Sequence, residues 1–271
     1  MTVRRRAVRA GALVGFVGLW QLLTAQRVRL WLRFDHLPTA GQVGAALWQQ
    51  LGTGQYWQDL ADSLRRIGSG FVLAAVLGVA VGVLTARSRW AGDLLEPVLE
   101  VVRPIPAIAL VPVAIMLFPE NEQGIVFITF VAAFFPVVVA TRHAVRAVPP
   151  VWEEAVRTLG GGRWRVLWTV VLPGALPGVV GGLSVGIGVA WICVISAEMV
   201  SGQFGVGYRT WSAYTVLDYP GVFVGMATIG LLGWATSGAV ELVGRRLTAW
   251  LPPAGGQRPR AGRPVRAGAG G

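Results

Sequence analysis

Pro149-Pro150-Val151-Trp152-Glu153-Glu154-Ala155-Val156-Arg157-Thr158-Leu159-Gly160 forms a polar island between two long apolar stretches. It is followed by Gly161-Gly162-Arg163-Trp164-Arg165 and closed by Leu172-Pro173. The two prolines suit a helix start, where a missing N–H costs little, and the glycine run suits its end. Glu153 and Arg157 stand at i,i+4 in the favourable order, while Val151, Ala155, Val156 and Leu159 share one face. The spacing predicts a short amphipathic helix at the aqueous side of a membrane. Such a helix needs something to receive its apolar face, and a partner protein is the natural candidate.

The rest of the chain supplies the membrane. At 271 residues, 54% hydrophobic and 14% charged, it is too apolar for an ordinary soluble domain. The apolar residues are gathered in stretches of about 17–24 residues, the length needed to cross a bilayer. The net charge of +11 rests on arginine alone, since the sequence has no lysine. That charge collects at segment ends, where retention on the cytoplasmic side explains it better than nucleic-acid binding. Cys193 stands alone in an apolar stretch, so no intrachain disulfide or thiolate metal site can form, and a small buried hydrophobe is expected. His36 and His143 are far apart and have no acids at ligand spacing. Neither a metal site nor a cofactor is expected.

Six spans are predicted: roughly Ala10 to Ala25, then Ile67–Ala86, Val98–Phe118, Ile125–Thr141, Gly178–Val200 and Val222–Val240. The basic Arg4, Arg5, Arg6 and Arg9 precede the first, but no small-residue cleavage site follows, so it is read as an uncleaved span. With both termini cytoplasmic, Arg87, Arg89, the Arg142–Arg165 loop and Arg245-Arg246 lie inside. The outer connection Pro119-Glu120-Asn121-Glu122-Gln123-Gly124 carries no basic residue, and Arg209 is alone in the last outer loop. The first outer segment breaks the pattern with Arg27, Arg29, Arg33, Arg65 and Arg66. The division expected is an arm, first span and external segment over 1–60, a core membrane domain over 61–245 with its cytoplasmic loop at about 142–175, and a tail over 246–271. Rich in Pro, Gly, Ala and Arg, that tail is expected to be disordered.

Two runs of small residues recur every four positions. Gly70, Ala74, Gly78, Gly82 and Ala86 mark the second span, and Gly174, Gly178, Gly182, Gly186 and Ala190 the fifth. In lipid this spacing lets helix backbones approach closely. Arg103-Pro104-Ile105-Pro106 and Pro112 should kink the third span, either beside a pathway or as structure alone. Glu198 is the one carboxylate well inside a predicted span and continues the series Gly186, Ala190, Val194. It is expected either to line or gate a pathway, or to reach water at the interface. No Gly-x-x-x-x-Gly-Lys-Ser/Thr loop exists, so any nucleoside triphosphate must be hydrolysed elsewhere. Ion coupling would call for several intramembrane acids, and an intramembrane enzyme for paired acids or a nucleophile and base.

Glu154-Ala155, Gly160, Val170 and Leu172-Pro173 resemble the "EAA" loop of ATP-binding-cassette importer permeases, with Val156 for the second alanine and Val170 for isoleucine. In that family the loop is the coupling helix that sits in a groove of the cytoplasmic ATPase. The resemblance implies that role for Glu153, Glu154, Ala155, Arg157, Gly160, Leu172 and Pro173. Ser63-Leu64-Arg65-Arg66 with Gly70-Phe71, Arg103-Pro104-Ile105-Pro106, Phe134-Phe135-Pro136, Ala190-Trp191, Ala197-Glu198-Met199 and Gly205-Val206-Gly207-Tyr208 are similar to the nitrate/sulfonate/taurine-type branch. One departure is Leu117-Phe118-Pro119-Glu120, where that branch has an aromatic residue followed by glycine. The implied molecule is an all-α, six-span permease of the type I importer fold in a bacterial inner membrane. It forms a homodimer with two ATPase subunits below and an extracytoplasmic solute-binding protein above, and moves a small anionic solute. Arg103, Pro104, Pro106, Trp191 and Glu198 are the pathway or gate candidates. Gly70, Gly78, Gly82, Gly178, Gly182 and Gly186 are the packing candidates. A secondary transporter or channel without an ATPase is the rival reading.

Overall fold

The computed structural model describes residues 3–26 and 37–250, and every regular element among them is helical. In chain order they are α1 (Val3–Ala25), α2 (Ala40–Leu51), α3 (Gly54–Arg87), α4 (Arg89–Val102), α5 (Val111–Leu117), α6 (Asn121–Arg146), α7 (Pro150–Thr158), α8 (Arg163–Val166), α9 (Leu172–Ser201), α10 (Val206–Thr215) and α11 (Tyr219–Leu247). Four stretches are long and apolar enough to cross a membrane: α3, α6, Arg163–Ser201 and α11. The expected arginine-rich tail beyond residue 250, and Arg27, Arg29 and Arg33, lie outside the described residues.

The third expected span, Val98–Phe118, is not one helix. α4 and the Ala107–Leu117 stretch meet at an 81° bend, and a 3-10 turn, Ala107–Leu110, leads into α5. Pro104 and Pro106 have no N–H to continue the helical ladder, so the chain breaks between them and restarts. Counting that pair as one span gives five. The first expected span is also short, because only Gly15–Ala25 of α1 reads as an apolar helix. The second starts earlier than its apolar core, since α3 runs 34 residues from Gly54.

α6 is the axis of the bundle. Along one flank Gly70, Gly78 and Gly82 of α3 lie against Thr129, Val137 and Thr141, so α3 and α6 run parallel. Along another, Gly178, Gly182 and Gly186 of α9 meet Ala144, Ala140 and Val137 in reverse order, so α9 runs antiparallel. The two small-residue stripes therefore converge on one helix. A methyl added at Gly82 would sit 2.6 Å from Thr141 Cβ, and one added at Gly70 2.7 Å from Thr129 Cβ. Dispersion between backbones at this range replaces the hydrophobic drive that lipid removes. Ile125, Ile128, Ala132 and Ala133 of α6 complete the buried core with Ile67, Val111, Trp191 and Val194. Cys193 is buried in the same cluster.

The helices alternate in direction, so the bundle has two chemically different ends. The basic end carries Arg87, Arg89, Arg142, Arg146, α7, α8 and Arg245-Arg246. The opposite end carries the starts of α3, α6, α10 and α11 and the last turn of α9. There, Trp20 of α1 stacks on Phe223 of α11 with ring centroids 5.6 Å apart. α2 opens on a capping box in which Thr39 Oγ1 accepts from the Gln42 amide and the Thr39 amide donates to Gln42 Oε1 at 2.9 Å.

Candidate functional site

α7 forms as its sequence dictates, with Pro149 at the N-cap and Pro150 at the first helical position. Gly160 ends it at φ +79°, a left-handed backbone that glycine adopts without strain, and the Gly161 amide donates to the Val156 carbonyl at 2.9 Å. Its apolar residues do not all face one way. Val156 turns inward onto Val145, Val148, Val166 and Val171, whereas Val151, Ala155 and Leu159 stay exposed, Leu159 at 85%. The two acids separate likewise. Glu153 accepts from Arg87 Nη2 at 2.9 Å and lies 3.6 Å from Arg157, which braces α7 against the end of α3. Glu154 points outward, in no ion pair or side-chain hydrogen bond among the described residues. The face turned away from the bundle therefore presents Val151, Glu154, Ala155 and Leu159.

Leu172 and Pro173 sit apart from that face, half-buried at the start of α9. A π-helical turn, Leu167–Val171, joins α8 to α9, and Gly174 leaves room for Trp152 of α7. The loop motif is thus divided into an outward, exposed face on α7 and an inward, half-buried anchor at the start of α9.

Between α6, α9 and the α4–α5 break lies a cavity of about 590 Å³. Arg103, Ile105 and Pro106 line one side; Phe135, Pro136 and Val139 of α6, with Gly181, Gly182 and Val185 of α9, line the others. Arg103 is the single charged residue on this otherwise apolar lining. It makes no ion pair among the described residues, so its guanidinium is available to a ligand. Pro104 belongs to the break but not to the lining.

Two pathway candidates are placed elsewhere. Trp191 is buried, and its Nε1–H donates to Thr236 Oγ1 at 2.8 Å, tying α9 to α11. Glu198 is fully buried, so it neither lines the cavity nor reaches water. Its Oε1 accepts from Ser63 Oγ at 2.7 Å and Arg66 Nη1 at 2.9 Å, and its Oε2 accepts from the Gly207 amide at 2.8 Å. Arg66, 1% exposed, also pairs with Glu122 and donates to the Phe204 carbonyl at 2.6 Å. Asp59 extends the network, accepting from the Gly205 amide at 3.2 Å and Arg209 Nε at 2.7 Å. Gly205 has φ +121°, and a side chain there would strike the Glu198 carboxylate.

This network pins the turn after α9 and the start of α10 onto α3. It also explains the two arginines that break the charge pattern of the first outer segment. Arg66 is consumed by the buried Glu198 and the partly exposed Glu122, and Arg65 lies 3.2 Å from Glu122. The signal was present in the sequence: Asp59, Ser63 and Arg66 continue the Gly70–Gly82 face of α3 at helical spacing, as Glu198 continues that of α9. Two packed stripes that both turn polar at the same end should meet there.

Residues 74–249 match the family described as binding-protein-dependent transport system inner membrane component. A probable ABC transporter permease protein of Brucella melitensis is 36% identical over 234 residues, covering 86% of this chain and 93% of that one. The bicarbonate transport system permease protein CmpB of Synechococcus elongatus is 31% identical over 255 residues, covering 88% and 85%. The taurine transport system permease protein TauC of Escherichia coli is 34% identical over 194 residues, covering 72% and 70%. Among solved structures, an inward-facing form of the MetNI methionine ABC transporter superposes with a TM-score of 0.56 at 20% identity, covering 71% of this chain and 94% of that chain. That likeness is one of fold.

Proposed function

The chain belongs to the family of binding-protein-dependent transport system inner membrane components, the membrane-spanning permeases of ABC importers, and we propose that it couples to a separate ATPase through the outward face of α7. The observation that carries this reading is the division of α7. Glu153 and Val156 fasten the helix to the bundle, while Glu154, Ala155 and Leu159 stand free. A helix held on one side and bare on the other is built to be pushed. Closure of two ATPase subunits on ATP would move α7 and, through it, the ends of α3, α6 and α9. On this reading the basic end is cytoplasmic, and both termini lie on the cytoplasmic side of a bacterial inner membrane.

The remaining assembly follows the same logic. Two copies of the chain would bring their cavities together, and a solute-binding protein would load the pathway from the opposite end. Arg103 is the group assigned to the solute: one guanidinium on an apolar wall favours a small oxyanion, the chemistry shared by the bicarbonate and taurine named for two relatives.

The test compares Glu154→Lys and Gly160→Val with the wild type in reconstituted vesicles. Both variants should insert at normal levels and lose ATP-driven uptake together with ligand-stimulated ATP hydrolysis. A self-sufficient transporter or channel would tolerate Glu154→Lys at an exposed position. Full uptake by that variant would overturn the coupling reading and favour the rival.

A further inference from the structure

A second cavity, of about 970 Å³, opens at the basic end and shares no lining residue with the Arg103 cavity. Four arginines line it: Arg87 at the end of α3, Arg89 at the start of α4, Arg157 on α7 and Arg163 on α8. Ala80, Val83 and Leu84 of α3 and Leu167 form its apolar wall. Glu153 offsets part of this charge by pairing with Arg87 and Arg157. Arg89 and Arg163 make no ion pair among the described residues. Exposed guanidinium groups gathered around a hollow repel one another only weakly through water, and their summed field attracts an anion.

We propose that this cavity binds the phosphate-bearing headgroup of an anionic membrane lipid, with an acyl chain lying along α3. Its two halves match the two halves of such a lipid. The guanidinium forks present paired donors to phosphate oxygens. The apolar wall runs on into the exposed face of α3 at Leu77, Val76, Leu73 and Val72, which faces hydrocarbon when the helix spans a bilayer. Tryptophans mark the level of the boundary: Trp164 lines the cavity and is 75% exposed, and Trp90 and Trp168, next in sequence to lining residues, are also exposed. Indole rings favour the headgroup region. A free phosphate would use the arginines and leave the wall idle, so the wall selects a lipid. This site is separate from the outward face of α7 and does not depend on the coupling reading.

Native mass spectrometry on the full chain in detergent tests it, with phosphatidylglycerol and phosphatidylcholine of identical acyl chains supplied in equal amounts. The wild type should retain phosphatidylglycerol selectively. Arg89→Gln with Arg163→Gln should lower that retention on the order of thirtyfold, as loss of two interfacial arginines implies, and the Arg89→Lys, Arg163→Lys pair should keep most of it. Equal retention of both lipids, or unchanged selectivity in the glutamine pair, overturns the proposal. Displacement of the lipid by millimolar inorganic phosphate would make the cavity a free-phosphate site and equally sink it. So would loss of a co-purifying ATPase by the glutamine pair with lipid retention intact, since the cavity would then be a protein contact.

Discussion

Replacing Glu198 with alanine removes the acceptor on which three buried donors converge. Ser63 Oγ, Arg66 Nη1 and the Gly207 amide all point at its two oxygens within 2.9 Å. Arg66 would not be stranded, because Glu122 and the Phe204 carbonyl remain. The Ser63 hydroxyl and the Gly207 amide would be left without acceptors, and each orphaned buried group costs about 1–3 kcal/mol. With the void left by the side chain, the total is about 3–5 kcal/mol. In a chain of this size that corresponds to a drop of roughly 6–20 °C in Tm. Glu198→Gln should fall in between, since every partner is a donor and either orientation of the carboxamide turns its NH2 onto one of them. Thermal unfolding in nanodiscs, followed by tryptophan fluorescence, reads these differences. Ser63→Ala and Glu198→Ala should also be non-additive in combination, because they share one hydrogen bond. A Tm within about 2 °C of wild type for Glu198→Ala, or strict additivity, would refute the staple. A solute KM that shifts in folded Glu198→Gln would refute it differently, by returning that residue to the pathway.

Two further outcomes follow from the packing and the cavity. Gly182→Leu should lose about 1–3 kcal/mol and much of its yield in detergent, because any side chain there meets Ala140, whereas Gly188→Ala, with nothing within 4 Å, should be silent; equal behaviour of the two in a melt would remove the stripe's role. Arg103→Ala should lower uptake of an oxyanion about ten- to a hundredfold at subsaturating solute, and Arg103→Lys should restore part of it; an unchanged KM in vesicle uptake would free Arg103 from the solute.

Four of the six expected spans stand as single long helices, legible because apolar length and helical spacing are one-dimensional signals. The same holds for both ends of α7, where Pro149-Pro150 and Gly160 punctuate the chain, and for the stripes that converge on α6. Three features were hidden. The start of α3 was missed because Asp59, Asp62, Arg65 and Arg66 depress hydropathy, although their helical spacing continues unbroken. The 81° bend at Arg103–Pro106 needs tertiary context, since prolines announce a disturbance but not its angle. The inward turn of Val156 and Glu153 could not be read from α7 alone, because it depends on Arg87 and the valine cluster of other helices.

The two ends of the bundle differ in the energy needed to rearrange them. At the far end Glu198, Ser63 and Arg66 are at most 1% exposed, and removing one partner of such a buried set costs about 3–5 kcal/mol. At the basic end the links are partly solvated: Arg87 to Glu153, Arg142 and Arg146 to Glu96, and Arg157 to Glu153. Exposed pairs of this kind are worth about 0–1 kcal/mol each, because water takes over when they part. A force applied to α7 would therefore rearrange contacts at its own end long before it disturbed the staple at the other. The π-helical turn at Leu167–Val171 and the break at Arg103–Pro106 are two irregularities available to absorb such a shift. The break lines the Arg103 cavity, and the turn leads into α9, which forms another of its walls. Under the proposed coupling, the outward face of α7, the weak links, the irregular turns and the cavity lie in sequence along one mechanical route, and the opposite end would move as a block.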